Sequence, residues 1–428
     1  MKAIDNVINH IQSYLLALGF IALSVSIKTL WLLSIPNQST LMEYDSVRYL
    51  SMSDDFLTTF FGTASNSDSF YVTPGYPMFL AIFQVANLKL IVFFQFLMLG
   101  TSQFILFKLV IKYTSTKIAY FGLILFLIES SSGLESFNLL TETFFNFVFI
   151  LFLYYFGTGT NKKMSQYTSG FILGIALIVR PVGQILLVPL ILMIAFKTWR
   201  KQVTVVLLIA VLIPSTWILR NQVVFGVPQL SGIQSLNLLF YEGAGAIAKE
   251  KGITLRAAQA TEVKLETAKI GVDPSMQTIV DYRVKRGINL ILANPRGFVE
   301  MHLEGAAKIL LGPGSANIDK LTAHFSVSEI VTNILKATII LVRLLMIFLV
   351  GICIILAIQR RSFILIQFYS AVSWILVLIS SGGANAYSRF RVPLIPLEII
   401  IVCIGLSTSI QHTRFYKGIE KLRKAFPK

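Results

Sequence analysis

The stretch MEYDSVRYLSMSDDF, residues 42–56, concentrates acidic side chains in a chain that is otherwise basic. It contains Glu43, Asp45, Asp54 and Asp55, whereas the whole chain has 37 Lys and Arg against 21 Asp and Glu, a formal net charge of +16. A carboxylate just after an apolar run is a candidate general base, because it can take a proton from an attacking hydroxyl group. Asp54 and Asp55 are expected only to cap or solvate a helix in this loop.

Arginine residues stand where apolar runs begin, break or end. Arg180 interrupts one run, Arg220 follows another, and Arg389 and Arg391 precede the last one. A single arginine at a membrane surface commonly reaches toward lipid headgroups. Arg389 and Arg391 are two positions apart and do not share a helix face, but in an extended segment both reach one phosphate group. These arginines are therefore candidate phosphate ligands.

The composition indicates a polytopic membrane protein. The 428 residues are 55% hydrophobic and 14% charged, with a mean hydropathy of +0.73, whereas a soluble domain has about 25% charged residues. The positive net charge fits cytoplasmic loops next to anionic lipid better than it fits nucleic-acid binding. We therefore expect the lipid bilayer as a partner, and no nucleic acid.

Apolar runs of roughly bilayer length predict the membrane-spanning segments. They lie at 11–35, 88–111, 118–134, 139–157, 168–196, 203–219, 330–358, 362–380 and 392–410. The run 168–196 contains Arg180-Pro181, which an unbroken helix at mid-membrane would not tolerate, so two short helices are expected there. A further short helix is expected at 77–87.

The positions of Lys and Arg predict that the N-terminus is cytoplasmic. With that orientation, the cytoplasmic connections hold the basic residues and almost no acid, as the positive-inside rule requires. These residues are Lys112, Lys117, Lys162, Lys163, those in 197–201, Arg360, Arg361 and those in 414–428. The outer face receives 36–76, a turn near 135, the break at Arg180, 220–328 and 381–391.

This topology divides the chain into four parts. The N-terminal transmembrane module, 1–219, includes the first outer loop, 36–76, and is followed by an extracytoplasmic helical segment, 220–328. The C-terminal transmembrane helices occupy 329–411, and 412–428 is a basic cytoplasmic tail. Alternating polar and apolar residues in 220–328 predict helices that lie on the membrane.

Asp45, Glu142 and the arginines are all predicted at the outer leaflet, where ionisable residues are costly and usually functional. This combination suits sugar transfer from a polyprenyl phosphate. Arginines would stabilise the departing phosphate, and a carboxylate would take the proton of an acceptor hydroxyl as its oxygen attacks the anomeric carbon. One base without a covalent intermediate predicts inversion at that carbon. Glu142 alone also fits a helix start, where the helix dipole favours an acid.

A series of short landmarks resembles the GT-C class of membrane glycosyltransferases, in the branch of protein O-mannosyltransferases and the lipid A aminoarabinose transferase. The landmarks are DSVRY (45–49), TPGYP (73–77), LLTETFF (139–145), GFILGIALIVRPVG (170–183), RNQVVFG (220–226) and YSRFRVPLIP (387–396). The resemblance implies an all-α polytopic fold, a GT-C-like bundle of about ten or eleven transmembrane helices with a helical extracytoplasmic subdomain.

The resemblance also implies roles for individual residues. Asp45 would be the catalytic base, the donor phosphate would contact Arg180, Arg220, Arg389 and Arg391, and the substrate would contact Tyr49, Tyr76, Glu142 and Tyr387. The family's first-loop motif has Asp-Glu where this chain has Asp45-Ser46, so Glu43 is a second candidate for the base. The expected partners are a polyprenyl-phosphate-linked sugar donor and a lipid, glycan or protein acceptor, contacted by 220–328. No cofactor is expected; a divalent metal held by Glu43 and Asp45 is the alternative.

Other functions use similar residues. A transporter or flippase for a lipid-linked or anionic substrate would also use arginines, but it usually has internal repeats, which this sequence lacks. A polysaccharide polymerase or ligase needs no acid in the first loop, and a scaffold protein would be indifferent to all these side chains. The basic tail favours the inner (plasma) membrane of a bacterium, with the active site on the extracytoplasmic side.

Overall fold

The computed structural model describes residues 2–58, 68–83, 87–158, 163–358, 364–380, 382 and 388–408. Within these ranges the regular elements are helices, and no strand occurs. The prediction of an all-α protein is therefore confirmed. Tyr387 and the basic tail lie outside the described residues, so their predicted roles stay predictions.

The first half of the chain forms eleven α-helices among the described residues. They are α1 (Lys2–Ser34), α2 (Tyr44–Thr58), α3 (Asp68–Tyr71), α4 (Gly75–Ile82), α5 (Leu88–Tyr113), α6 (Thr116–Ile128), α7 (Ser130–Glu135), α8 (Thr141–Thr158), α9 (Lys163–Val179), α10 (Leu187–Met193) and α11 (Arg200–Phe225). Shorter 3-10 helices lie at Gln38–Leu41 and Pro181–Leu186.

The second half begins with the helices of the predicted extracytoplasmic segment and returns to apolar sequence. Its helices are α12 (Ile233–Asn237), α13 (Ala244–Lys251), α14 (Leu255–Ile270), α15 (Met276–Ala293), α16 (Pro295–Leu311), α17 (Ser315–His324), α18 (Glu329–Ile358), α19 (Ile364–Ser380) and α20 (Leu394–Thr408). A π-helix, Leu238–Gly243, joins α12 to α13, and a 3-10 helix, Ser388–Arg391, precedes α20.

Several helices are suited to a bilayer. Among the described residues, four are long and apolar enough to cross a membrane: Ile11–Ser34, Leu88–Tyr113, Arg200–Phe225 and Glu329–Leu356. Shorter apolar helices lie at Thr116–Ile128, Pro181–Met193 and Leu394–Thr408. Large apolar side chains point outward, as lipid requires; Leu30 is 67% exposed and Phe348 is 64% exposed. The expected number of about ten or eleven crossings stays a prediction.

The helix boundaries differ from the predicted ones in several places; the short helix expected at 77–87, for example, is α4, Gly75–Ile82. The run 118–134 divides at Glu129 into α6 and α7, and α11 does not end at 219 but continues through Arg220 to Phe225. Arg220 does not terminate the helix because its guanidinium is buried over the rings of Trp217 and Phe225, 4.6 and 5.0 Å from their centroids. The helix ends instead at Gly226, whose φ of 73° is the left-handed conformation of a helix C-terminus.

The helix α20 lies at the centre of the bundle. Ile395, Leu397, Ile399 and Ile401 are each 0% exposed, as expected of a helix that is apolar on all sides. Helix α20 begins three residues after Arg391, so the segment that carries Arg389 and Arg391 leads directly into the core.

A buried network of four charged side chains fixes this segment. Arg343 of α18 makes two hydrogen bonds to the carboxylate of Glu398 in α20, at 2.8 and 2.9 Å. Arg391 Nε lies 3.5 Å from Glu129 Oε1 and donates to Ser131 Oγ at 2.8 Å. Both arginine side chains are 0% exposed, and those of Glu129 and Glu398 are 1% and 7% exposed. Two cations and two anions therefore neutralise one another away from solvent.

The same arginines hold the end of α16. Arg391 Nη1 donates to the carbonyl of Ile309 and Nη2 to that of Gly312, both at 2.8 Å, and Arg343 Nε donates to the carbonyl of Leu310 at 3.1 Å. These carbonyls belong to the last turn of α16, where they have no partner within the helix. The network thus ties α16 to the apolar core of the bundle.

We predict that Arg343→Met lowers the stability of the protein by about 3–5 kcal/mol, because it leaves Glu398 buried without its cation. The double variant Arg343→Met/Glu398→Leu should recover most of that loss, since Glu129 and Arg391 still neutralise each other. Thermal unfolding of the purified protein in detergent would measure both. A double variant as unstable as the single one would contradict this role for the ion pair.

Candidate functional site

The loop that carries Asp45 is held against the start of α8 by hydrogen bonds. Ser46 Oγ accepts a hydrogen bond from the backbone N–H of Glu43 and donates to the carbonyl of Leu139, both at 2.9 Å. The N–H of Leu139 donates to the carbonyl of Leu41 at 3.0 Å. Asp45 in the first turn of α2 and Glu142 in the first turn of α8 are thereby brought to one place, although they are distant in sequence. Both acids are also favoured there by the helix dipoles.

The break at Arg180 directs the guanidinium of this residue toward Asp45 and Glu142. Arg180 has an extended backbone, φ −142° and ψ 137°, because the residue before a proline avoids the helical conformation. The carbonyl of Val179 accepts a hydrogen bond from Thr73 Oγ1 at 3.0 Å. Gly75 packs directly on this break, since a Cβ there would lie 2.8 Å from the carbonyl oxygen of Ile178. The TPGYP turn therefore acts as a support for the break.

Four charged side chains from distant parts of the chain meet here, and we call them the ion-pair cluster: Asp45, Glu142, Arg180 and Arg389. Arg389 Nη2 lies 3.0 Å from Asp45 Oδ2 and Arg389 Nε lies 3.7 Å from Glu142 Oε1. Arg180 Nη1 lies 3.0 Å from Glu142 Oε1. Both guanidinium groups also face the ring of Phe390. The distance from the guanidinium carbon to the ring centroid is 5.7 Å for Arg180 and 5.2 Å for Arg389.

The four side chains of the cluster differ in their exposure to solvent. The side chain of Glu142 is 2% exposed and that of Arg180 is 13% exposed, whereas those of Arg389 and Asp45 are 22% and 35% exposed. Asp45 is therefore the member most open to solvent and to a ligand. Glu142 is the inner anion that both arginines share.

Hydrogen bonding within the cluster is incomplete. Glu142 Oε2 and Arg180 Nη1 are buried atoms without a hydrogen-bond partner in the described part of the chain. The 3.0 Å contact of Arg180 with Glu142 is thus an ion pair without hydrogen-bond alignment. Buried polar atoms are nearly always hydrogen-bonded, so such atoms point to strain or to a missing ligand.

Two tyrosines line the same region. Tyr49, one turn after Asp45, packs edge-on against Tyr76 with 5.2 Å between ring centroids. Tyr76 donates to Gln95 Oε1 at 2.8 Å, and Gln95 in turn donates to the carbonyls of Ser136 and Asn138. Burial and the negative charges of Asp45 and Glu142 raise the pKa of Tyr49, so its hydroxyl stays protonated and is available as a donor.

Glu43 has a different neighbour from Asp45. Its carboxylate lies 3.0 Å from Lys320 Nζ of α17, and Lys320 also donates to the carbonyl of Met42 at 3.2 Å. The two candidate bases thus face different cations, Arg389 for Asp45 and Lys320 for Glu43. The contact of Glu43 attaches the outer helices to the first loop.

A third acid lies between these two positions. Glu135 of α7 is 5% exposed and accepts hydrogen bonds from Asn138 Nδ2 at 3.2 Å and Asn317 Nδ2 at 2.7 Å. Burial, together with the nearby negative charge of Glu142, raises the pKa of Glu135 to about 7. Nothing in the sequence distinguishes this residue, because its partners come from α17 and from the turn before α8.

The other two predicted phosphate ligands are placed apart. Arg220 is 6% exposed and donates to Ser69 Oγ and Asn221 Oδ1 at 3.1 and 2.8 Å, which holds the first loop against α11. Arg391 belongs to the buried network described above. The structure therefore brings Arg180 and Arg389 to the acids, and it places Arg220 and Arg391 in contacts that stabilise the fold.

No group of three or more His, Cys, Asp or Glu side chains suited to holding a metal ion occurs among the described residues.

The sequence signal that would have revealed the buried network is the occurrence of Arg343 and Glu398 inside apolar runs, since charges at that depth need partners.

Comparison with known proteins gives little support for a family. No protein family matches the sequence, and no curated protein does. Among solved structures, the archaeal oligosaccharyltransferase AglB from Archaeoglobus fulgidus, determined with an inhibitory peptide and a dolichol-phosphate, has a TM-score of 0.46 and 11% sequence identity. The match covers 96% of this chain and 52% of that one, so this chain spans about half its length. A likeness of this degree shows neither a family nor a function for this chain.

The raised pKa of Glu135 gives a prediction for stability. Between the usual carboxyl pKa and about 7, the folded protein keeps a proton on Glu135 that the unfolded chain has released. Stability should therefore fall as the pH rises through this range, by about 3 kcal/mol in total. Glu135→Gln should remove this part of the pH dependence, as measured by thermal unfolding from pH 5 to pH 8. A matched Glu300→Gln variant, at an exposed position, should keep the wild-type profile; an unchanged profile in Glu135→Gln would contradict the assignment.

Proposed function

We propose that this protein is a GT-C-type membrane glycosyltransferase that moves a sugar from a polyprenyl-phosphate donor to an acceptor hydroxyl on the extracytoplasmic side of the inner membrane. The observation that supports this most is the ion-pair cluster. In this cluster the partly exposed carboxylate of Asp45 lies 3.0 Å from Arg389. Arg389 and Arg180 both lie next to the buried carboxylate of Glu142. This arrangement provides a base and a phosphate-binding pair within one site.

The arginines would bind and stabilise the phosphate. Each guanidinium has five N–H donors in a planar fork, and Nη1 of Arg180 has no hydrogen-bond partner in the described part of the chain. As the bond between the anomeric carbon and the phosphate oxygen breaks, negative charge grows on the leaving phosphate, and fixed guanidinium groups stabilise that charge most. Phosphate binding would also give Arg180 Nη1 the aligned acceptor that it lacks.

Asp45 would act as the base. In the proposed reaction, the acceptor oxygen attacks the anomeric carbon from the face opposite to the phosphate and loses its proton to the Asp45 carboxylate. A direct displacement of this kind inverts the configuration at that carbon. Arg389 would orient the carboxylate, and Glu142, being buried, would hold both arginines in place rather than touch the acceptor.

The cluster also bears on the rival functions. A flippase would need the phosphate to pass the arginines and leave them again, but Glu142 holds both cations from the buried side. A polymerase or ligase without a base in the first loop gives no role to Asp45, which is the most exposed member of the cluster. We therefore prefer the transferase, with Asp45 rather than Glu43 as its base.

The test uses the purified protein in lipid nanodiscs with a panel of polyprenyl-phosphate-linked sugars and measures release of polyprenyl phosphate. Asp45→Asn should lower the rate by about 100-fold or more, since it removes the base and keeps the shape of the side chain. The sugar that responds would also identify the donor.

Glu43→Gln is the matched control, because it changes a carboxylate two residues away that faces Lys320. This variant should retain release near the wild-type rate. Equal rates in wild type and Asp45→Asn, or a collapse in Glu43→Gln alone, would contradict the proposed role of Asp45.

A further inference from the structure

The helical run from Ile233 to Lys251 contacts two segments of the chain that also carry arginines of the ion-pair cluster. At its start, Gln234 Nε2 donates to Gln184 Oε1 at 3.1 Å, and Gln184 lies in the 3-10 helix that directly follows Arg180. Farther along the run, the carboxylate of Glu242 lies against Gly382, where a Cβ would collide with it. Gly382 precedes Arg389 by seven positions. The run therefore contacts the chain four positions after Arg180 and seven positions before Arg389.

Glu242 lies in the π-helix, Leu238–Gly243. The wide turn occurs where α15 approaches most closely, since a Cβ at Gly287 would lie 2.6 Å from the carbonyl oxygen of Leu238. Wide turns of this kind often occur at functional sites, because they change the direction of the side chains that follow. Here the turn directs the carboxylate of Glu242 toward α16 instead of along the helix surface.

Glu242 meets a histidine there. His302 Nε2 lies 3.1 Å from Glu242 Oε2, and the two side chains are 20% and 21% exposed. The ring of Phe298, one turn earlier on α16, packs edge-on against the imidazole with 4.3 Å between centroids. An acid, an imidazole and an aromatic ring thus share one partly open position.

This position is held rigidly. The N–H of Gly297 donates to Glu250 Oε2 at 2.9 Å, and Lys249 Nζ lies 2.7 Å from Glu304 Oε2, so α13 and α16 are joined on both sides of the pair. Glu304 and Lys308 are about half exposed, at 48% and 52%, and are ordinary surface ion pairs. Glu242 and His302 differ from Glu304 and Lys308 because their side chains are mostly enclosed. Glu242 also lies against Gly382.

We propose that Glu242, His302 and Phe298 form the binding site for the acceptor, and that this acceptor is a sugar of a glycan. This inference rests on the proposed function and deepens it by assigning the acceptor class. A carboxylate accepts hydrogen bonds from ring hydroxyls, an imidazole accepts or donates one, and an aromatic ring covers the apolar face of a sugar. The run that carries Glu242 also contacts Gln184, four positions after Arg180, which links the proposed acceptor site to the segment that carries this arginine.

The test is a binding measurement that needs no donor and no turnover. Saturation-transfer difference NMR would be recorded with methyl α-D-mannopyranoside and methyl β-D-glucopyranoside on the full chain in nanodiscs. We expect transfer signals from at least one glycoside with the wild type. Glu242→Gln and Phe298→Leu should each weaken its binding by about fivefold, the effect of losing one hydrogen bond or the ring contact.

Two controls separate this proposal from the proposed function. Asp45→Asn should keep the glycoside signals, because it alters the base and not the acceptor site, and Glu300→Gln should keep them as a matched change at an exposed position on α16. Thermal unfolding of each variant shows whether it is folded. Absence of signals with the wild type, equal signals in Glu242→Gln and Phe298→Leu, or binding of a Ser/Thr peptide but of neither glycoside would overturn the proposal. Failure of polyprenyl phosphate release alone would count against the proposed function and not against this site.

Discussion

The structure depends on the pairing of buried charges in an apolar bundle. Arg343 and Glu398 face each other from α18 and α20, and Arg391 and Glu129 complete the set. A single unpaired charge at that depth would cost several kcal/mol, so each residue is tolerated only because the others are present. In return, one network fixes the end of α16, the division between α6 and α7, and the segment before α20. Arg389 lies in that segment, two positions before Arg391, and its place in the candidate site follows from the network.

The candidate site is a second set of paired charges, nearer to the surface. Its members come from α2, α8, the break after α9 and the segment before α20, so distant parts of the chain must fold before they meet. The two sets differ mainly in exposure. Both arginine side chains of the buried network are 0% exposed, whereas those of Arg389 and Asp45 in the ion-pair cluster are 22% and 35% exposed. Each set has a buried carboxylate oxygen without a hydrogen bond, Glu129 Oε1 in the network and Glu142 Oε2 in the cluster. An enclosed set of charges suits a structural support, and a partly open set suits a site that receives a charged ligand.

Much of this organisation could be predicted from the sequence. Hydropathy located the apolar helices and the break at Arg180, because bilayer length and proline chemistry act locally. The positions of Asp45, Glu142, Arg180 and Arg389 at the ends of apolar runs identified the cluster. The sequence did not show which arginines face the acids, since Arg391 differs from Arg389 only in contacts with residues distant in sequence, such as Ser131 and Ile309. For the same reason it did not show that Glu43 pairs with Lys320 or that Glu135 is buried between two asparagines.

The most direct test of this account is whether Arg180 and Arg389 bind a lipid-linked phosphate. Native mass spectrometry of the purified protein with undecaprenyl phosphate would compare wild type with Arg180→Met and Arg389→Met. Arg256→Met, an exposed arginine on α14, would provide the same change of charge away from the site. We expect each of the two cluster variants to bind about tenfold more weakly, as removal of a charge-assisted contact predicts, and Arg256→Met to bind like the wild type. Unchanged binding in both cluster variants would contradict the assignment of the cluster as the donor phosphate site.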